Sequence, residues 1–211
     1  MKPFLPDDAM PIGRDDPDPA RRHLVDLNPH LRLGMMLFLA SLTMLFVASI
    51  VCYLVIRLAS PATLPSGHIE LPGGLWVSTV VLLGSGLTVY AADRSSRRDR
   101  IAALRLWLGL SFGLGVTFLA IQTPCMIDLL WAHKMALTQY NSGIYGLTFA
   151  LVIVHALHVI GGLIPLGLLT RKALRHSLGQ ELQPAVRACA TYWHFLEVVW
   201  IVLFGMFLLT A

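Results

Sequence analysis

The sequence predicts an all-α integral membrane protein, a bundle of five transmembrane helices. Three observations predict it. Of the 211 residues, 56% are hydrophobic and only 13% charged, whereas a soluble domain carries about 25% charged residues. The apolar residues gather in five runs, each long enough to cross a bilayer as a helix of about 20 residues. The basic residues gather on alternate connections, as membrane insertion imposes. The net charge of +4 is accounted for by those short basic loops, so no nucleic-acid binding is expected. Cys52, Cys125 and Cys189 are far apart and in no CxxC spacing. They predict neither a disulfide framework nor a zinc site, but small apolar residues in or near the spans.

The chain divides into a tail, residues 1–32, and a five-span domain, residues 33–211. The tail is polar and rich in proline (Pro3, Pro6, Pro11, Pro17, Pro19, Pro29) and has no apolar core of the signal-peptide type. It reads as mostly irregular, with a short interfacial helix near Ala20 to Leu27. The first span is expected over Gly34 to Ile56, the second over Pro72 to Ala92 and the third over Ile101 to Thr123, where Pro124 follows. The fourth is expected over Tyr145 to Leu169 and the fifth over Ala188 to Ala211. The connections hold Pro, Gly, Ser or charge, and none is long enough to fold as a separate domain. Asp128, His133 and Lys134 fall in the third connection and read as solvated loop residues.

An inside amino terminus places 14 of the 16 Lys and Arg residues on the inner segments and leaves only Arg57 and Lys134 outside. The amino terminus is therefore expected in the cytoplasm and the carboxyl terminus, after an odd number of spans, in the periplasm.

Most polar residues within the spans are small. Gly109 and Gly113 make a GxxxG, Ser111 and Gly115 repeat its spacing, and Gly84, Ser85 and Gly86 form a second small patch. These read as seams where helices approach closely. Span four carries His155 and His158, three residues apart and on one helix face, with Gly162 one turn further along. Span five carries His194 and Glu197 at the same spacing, flanked by Trp193 and Trp200. An ionisable side chain at membrane depth costs several kcal/mol unless it is paired or faces protein. Three readings follow. The histidines hold a haem or metal, with His194 supplying the ligand opposite span four. They handle protons. Or His155, His158, His194 and Glu197 form a structural polar cluster that clasps spans four and five. Arg57, Arg94 and Arg171 close spans and, with Trp193, are candidate lipid-headgroup contacts, snorkelling being the simplest role for the arginines.

These residues resemble subunit III of the haem–copper terminal oxidases, the cytochrome c and quinol oxidases. Tyr192-Trp-His-Phe-Leu-Glu-Val-Val-Trp200 is similar to the family's last-helix signature. His155-Ala-Leu-His-Val-Ile-Gly161 resembles its His-Gly-x-His-Val-x-x-Gly motif, with Ala156 in place of glycine. Gly34-Met-Met-Leu-Phe-Leu-Ala-Ser41 and Tyr53-Leu-Val-Ile-Arg57 resemble its opening span, Leu75-Trp76 with Ser78-Thr79 its next, and Phe118-Leu-Ala-Ile-Gln122 its Phe-Leu-x-x-Gln. Two positions depart from the pattern: Leu42 and Cys125 stand where the family commonly has glutamates. The resemblance therefore extends no proton-relaying role to Leu42. It implies the shorter, five-span bacterial form and an accessory subunit with no haem or copper of its own, those groups belonging to subunits I and II. Such a subunit packs on subunit I, binds phospholipid, protects the oxidase during turnover and assists proton uptake on the inner side. The alternatives are the related accessory protein of a nitric oxide reductase and a haem b membrane anchor.

Overall fold

In the computed structural model the described residues are 19–59, 73–140, 144–175 and 183–210. They form five helices: α1 (Pro19–Ala59), α2 (Gly74–Arg97), α3 (Ile101–Tyr140), α4 (Ile144–Arg175) and α5 (Gln183–Thr210). Each contains one stretch long and apolar enough to cross a membrane: Arg32–Ile56, Gly74–Arg97, Ile101–Cys125, Phe149–Arg175 and Gln183–Leu209. A helix satisfies its own backbone groups, which is why an apolar run of this length takes that form in lipid.

Two expected boundaries move. The first helix begins at Pro19, so the part of the expected tail from Pro19 to Arg32 continues directly into the first span. The third does not stop at Pro124; it runs on to Tyr140 with that proline inside it. A proline removes one backbone hydrogen bond and crowds the preceding turn. Here good helix formers such as Leu129, Leu130, Met135 and Ala136 follow it and carry the helix onward. The backbone at Asp128, His133 and Lys134 is therefore helical. Asp128 is exposed, and the side chains of His133 and Lys134 lie outside the described residues.

The helices α2, α3, α4 and α5 close a ring in which each packs on the next and α5 returns to α2. Among the described residues α1 packs only against α4 and α5, outside that ring. The turn between α2 and α3 is tight. Arg98 and Arg100 both donate backbone hydrogen bonds to the Ser95 carbonyl, at 3.2 and 3.1 Å, and Asp99 takes a left-handed conformation at φ 50°. At the ring's centre lie Phe118, Leu166, Trp193, Leu196 and Trp200, all essentially excluded from solvent.

The glycines sort by use. A Cβ at Gly115 would meet Leu163 Cδ2 at 2.8 Å and Trp193 Cη2 at 2.9 Å, so the small residue there is required for α3, α4 and α5 to converge. A Cβ at Gly109 or Gly113 would meet nothing within 4 Å. The GxxxG expected as an internal seam thus faces outward, and Ser111 and Gly115, on the other side of α3, make the internal contacts.

Candidate functional site

The polar groups inside the bundle begin with α5. Its 3.6-residue period turns Tyr192 and Leu196 toward α4, where a Cβ at Gly162 would touch both at 2.9 and 3.3 Å. The same period turns Glu197 toward α2, where its carboxylate occupies the space that a side chain at Gly86 would need. His194 Nδ1 pairs with Glu197 Oε2 at 2.8 Å. Glu197 Oε1 is buried and has no hydrogen-bond partner among the described residues. Glu197 lies about 21 Å from one end of the span Gln183–Leu209 and about 18 Å from the other, at the 1.5 Å rise of a helix. The pair therefore sits near mid-membrane.

The histidines of α4 go elsewhere. His155 is 1% exposed. Its ring stacks on Trp200, with centroids 5.1 Å apart, and meets the edge of Phe46 from α1 at 6.3 Å. Neither ring nitrogen has a hydrogen-bond partner among the described residues. His158 donates from Nδ1 to the Val154 carbonyl of its own helix at 2.6 Å, and the Tyr192 hydroxyl donates to the His158 carbonyl at 3.0 Å. Spans four and five do pack together. They do so through Tyr192 and through the His155–Trp200 stack, while Glu197 turns to α2. His155, His158, His194 and Glu197 are thus not joined into one hydrogen-bonded cluster, because neighbouring faces of α5 serve different helices.

The ring is tied by polar bonds that the sequence reading did not single out. Trp193 Nε1 donates to Ser85 Oγ at 2.9 Å and Trp200 Nε1 to Thr79 Oγ1 at 3.0 Å, both joining α5 to α2. The Ser78 hydroxyl donates to Gln122 Oε1 at 3.0 Å and that of Ser111 to Thr88 Oγ1 at 2.8 Å, both joining α2 to α3. The signal was present in the pattern: Ser78 and Ser85 are seven residues apart with Thr79 beside the first, and Trp193 and Trp200 are likewise seven residues apart. A buried indole N–H finds a partner as a rule, and small hydroxyls are the partners that still allow close packing. Trp193, expected among the headgroup contacts, is 1% exposed and interior; its bond to Ser85 holds it there.

A groove of about 870 Å³ opens between α1, α4 and α5. Its walls are apolar, with Phe38, Leu157 and Leu168 among them, and Arg171, Lys172 and Arg175 line its end at the close of α4. This places Arg171 at a groove mouth. Arg94 is exposed near the end of α2, and the side chain of Arg57 lies outside the described residues.

Fold and interior together define a multi-pass helical membrane protein with polar groups packed among its own helices. Comparison with known proteins gives the family. The model of the family described as cytochrome c oxidase subunit III matches residues 20–210, and the chain belongs to that family. Among its relatives, cytochrome c oxidase subunit 3 of Synechocystis sp. is 33% identical over 194 residues, covering 88% of this chain and 78% of that protein. The subunit 3 of Bacillus subtilis cytochrome c oxidase is 27% identical over 172 residues, 82% of each chain. Cytochrome bo(3) ubiquinol oxidase subunit 3 of Pseudomonas putida is 31% identical over 173 residues, again 82% of each. The family resemblance and the five-span helical fold read from the sequence are both borne out.

Proposed function

We propose that this chain is an accessory, cofactor-free subunit III of a proton-pumping haem–copper oxidase in a bacterial inner membrane. It packs on catalytic subunit I, in a complex that includes subunit II, and supports assembly and stability during O2 reduction. It also holds phospholipid. Its amino terminus is cytoplasmic and its carboxyl terminus periplasmic, so the basic groove mouth lies at the inner leaflet. The observation that carries the lipid role is the groove itself. Its apolar walls suit acyl chains, and Arg171, Lys172 and Arg175 suit a phosphate at the headgroup level. The cofactor-free reading is supported by the imidazoles, since His155 lies between two rings, His158 is engaged with its own helix and His194 with Glu197. Relatives include subunits of a cytochrome c oxidase and of a ubiquinol oxidase, so either electron donor fits.

The test is to purify the native complex and assay haem and bound lipid phosphorus. Co-purification with a haem- and copper-bearing O2-reducing subunit is expected. Co-purification with a nitric oxide reductase would overturn the assignment, and a Soret band in the isolated subunit would overturn its cofactor-free character. Replacing Arg171, Lys172 and Arg175 by Ala should lower lipid phosphorus per complex and hasten inactivation during turnover.

A further inference from the structure

Among the described residues the His194–Glu197 pair is the one ionisable pair of α5, and it is only partly enclosed. The His194 side chain is 41% exposed and that of Glu197 11%. His194 lies about 16 Å along the span from Gln183. It is therefore about 10 Å inside a hydrocarbon core some 30 Å thick. An imidazole has no long stem with which to snorkel to headgroups, and a half-exposed ionisable group at that depth belongs against protein rather than lipid. Among the described residues the bundle covers it only in part. Tyr192, two residues earlier and so about 200° around α5, faces α1 through its stack with Phe38 at 5.9 Å; His194 points away from that side. The surface beside it is continuous and wide. Thr191 and Val198 flank His194 on α5, and across the seam α2 exposes Leu83, Leu87 and Tyr90.

We infer that this α2–α5 face is the docking surface for a transmembrane helix of the catalytic subunit, and that His194 is its polar anchor. Nδ1 of His194 is taken by Glu197, which leaves the second ring nitrogen to exchange a hydrogen bond with a polar side chain of the incoming helix. Glu197 is a positioning residue: its carboxylate, seated over Gly86, holds the imidazole toward the seam. The chemistry of the partner follows. It is a membrane helix, apolar along its length, with one hydrogen-bonding side chain near mid-membrane to meet His194. A lipid acyl chain offers no such group. The inference rests on the proposed role as an oxidase accessory subunit and adds which face makes the contact.

The test uses the complete complex in native membranes. A photo-crosslinking amino acid is placed at Val198, and at Leu106 on the exposed side of α3 as the reference face, since these side chains are 59% and 60% exposed. The expected result is an adduct between position 198 and the catalytic subunit, with lipid adducts at position 106. An adduct to the catalytic subunit from position 106, with only lipid at 198, overturns the docking face while leaving the subunit III role intact. Failure of the unmodified chain to co-purify with any oxidase overturns that role and the inference with it. A second variant reads the same surface without a probe. Val198→Trp adds bulk outside the bundle and is expected to cut retention of the catalytic subunit about tenfold, equivalent to about 1.4 kcal/mol. Leu106→Trp should leave retention unchanged. Equal retention in both variants overturns the inference.

Discussion

Gly86→Ala isolates the seat of the mid-membrane carboxylate. The added methyl would occupy space now held by the Glu197 carboxylate. That carboxylate is the tip of a flexible side chain, so the helices need not part; Glu197 swings away and its bond to His194, now 2.8 Å, breaks. A hydrogen bond to a charged group contributes about 1.5–3 kcal/mol. Alanine in place of glycine in a helix returns about 1 kcal/mol. The net loss is therefore about 0.5–2 kcal/mol, or roughly 1–8 °C in melting temperature for a chain of this size. Thermal unfolding in detergent, followed by tryptophan fluorescence, reads it directly because Trp193 and Trp200 lie on this seam. Gly84→Ala is the control: a Cβ there meets nothing within 4 Å, and the variant should be neutral or slightly stabilised. The double variant Gly86→Ala/Glu197→Ala should cost less than the sum of its parts, since removing the carboxylate frees the space the methyl needs. Gly86→Ala melting with the wild type, or strict additivity in the double variant, would refute the reasoning.

The other expectations use the same measurement. His155→Phe keeps a ring between Trp200 and Phe46 and removes two nitrogens that have no partner among the described residues. It should be at least as stable as the wild type, and a clear loss would mean that the imidazole is bonded in the membrane. Ser85→Ala leaves the buried Trp193 N–H without its acceptor and should cost about 1–3 kcal/mol; Trp193→Phe in that background should recover part of the loss. Gly115→Val drives two methyls toward Leu163 and Trp193 and should cost about 1–3 kcal/mol, whereas Gly109→Ala and Gly113→Ala should be neutral or better. Similar losses at Gly109 and Gly115 would contradict the division of α3 into an outer and an inner face.

The family and the helix count were legible in the chain because both are written locally. An apolar run reports its own span, and the motif around Tyr192 to Trp200 is contiguous. Helix ends were less legible. Pro124 reads as a stop, yet α3 continues to Tyr140, since one lost backbone bond is small beside the propensity of the residues that follow. The tail reads as mostly irregular with a short separate helix near Ala20 to Leu27, yet α1 runs unbroken from Pro19 into the first span.

The candidate site shows where local reading ends. Spacing alone puts His194 beside Glu197 and His155 near His158, because residues three apart share a face of any helix. The sequence by itself therefore determined the class of protein, its five crossings and the pairing within α5. It did not determine which neighbour each face would meet. Tertiary structure decided that Glu197 seats over Gly86 of α2, that His155 stacks on Trp200, and that Trp193 turns inward to Ser85. The physical reason is that partners on different helices are set by the rotation of each helix in the ring. That rotation is chosen by all the contacts together, including the small residues at Gly86, Gly115 and Gly162 that let particular faces close.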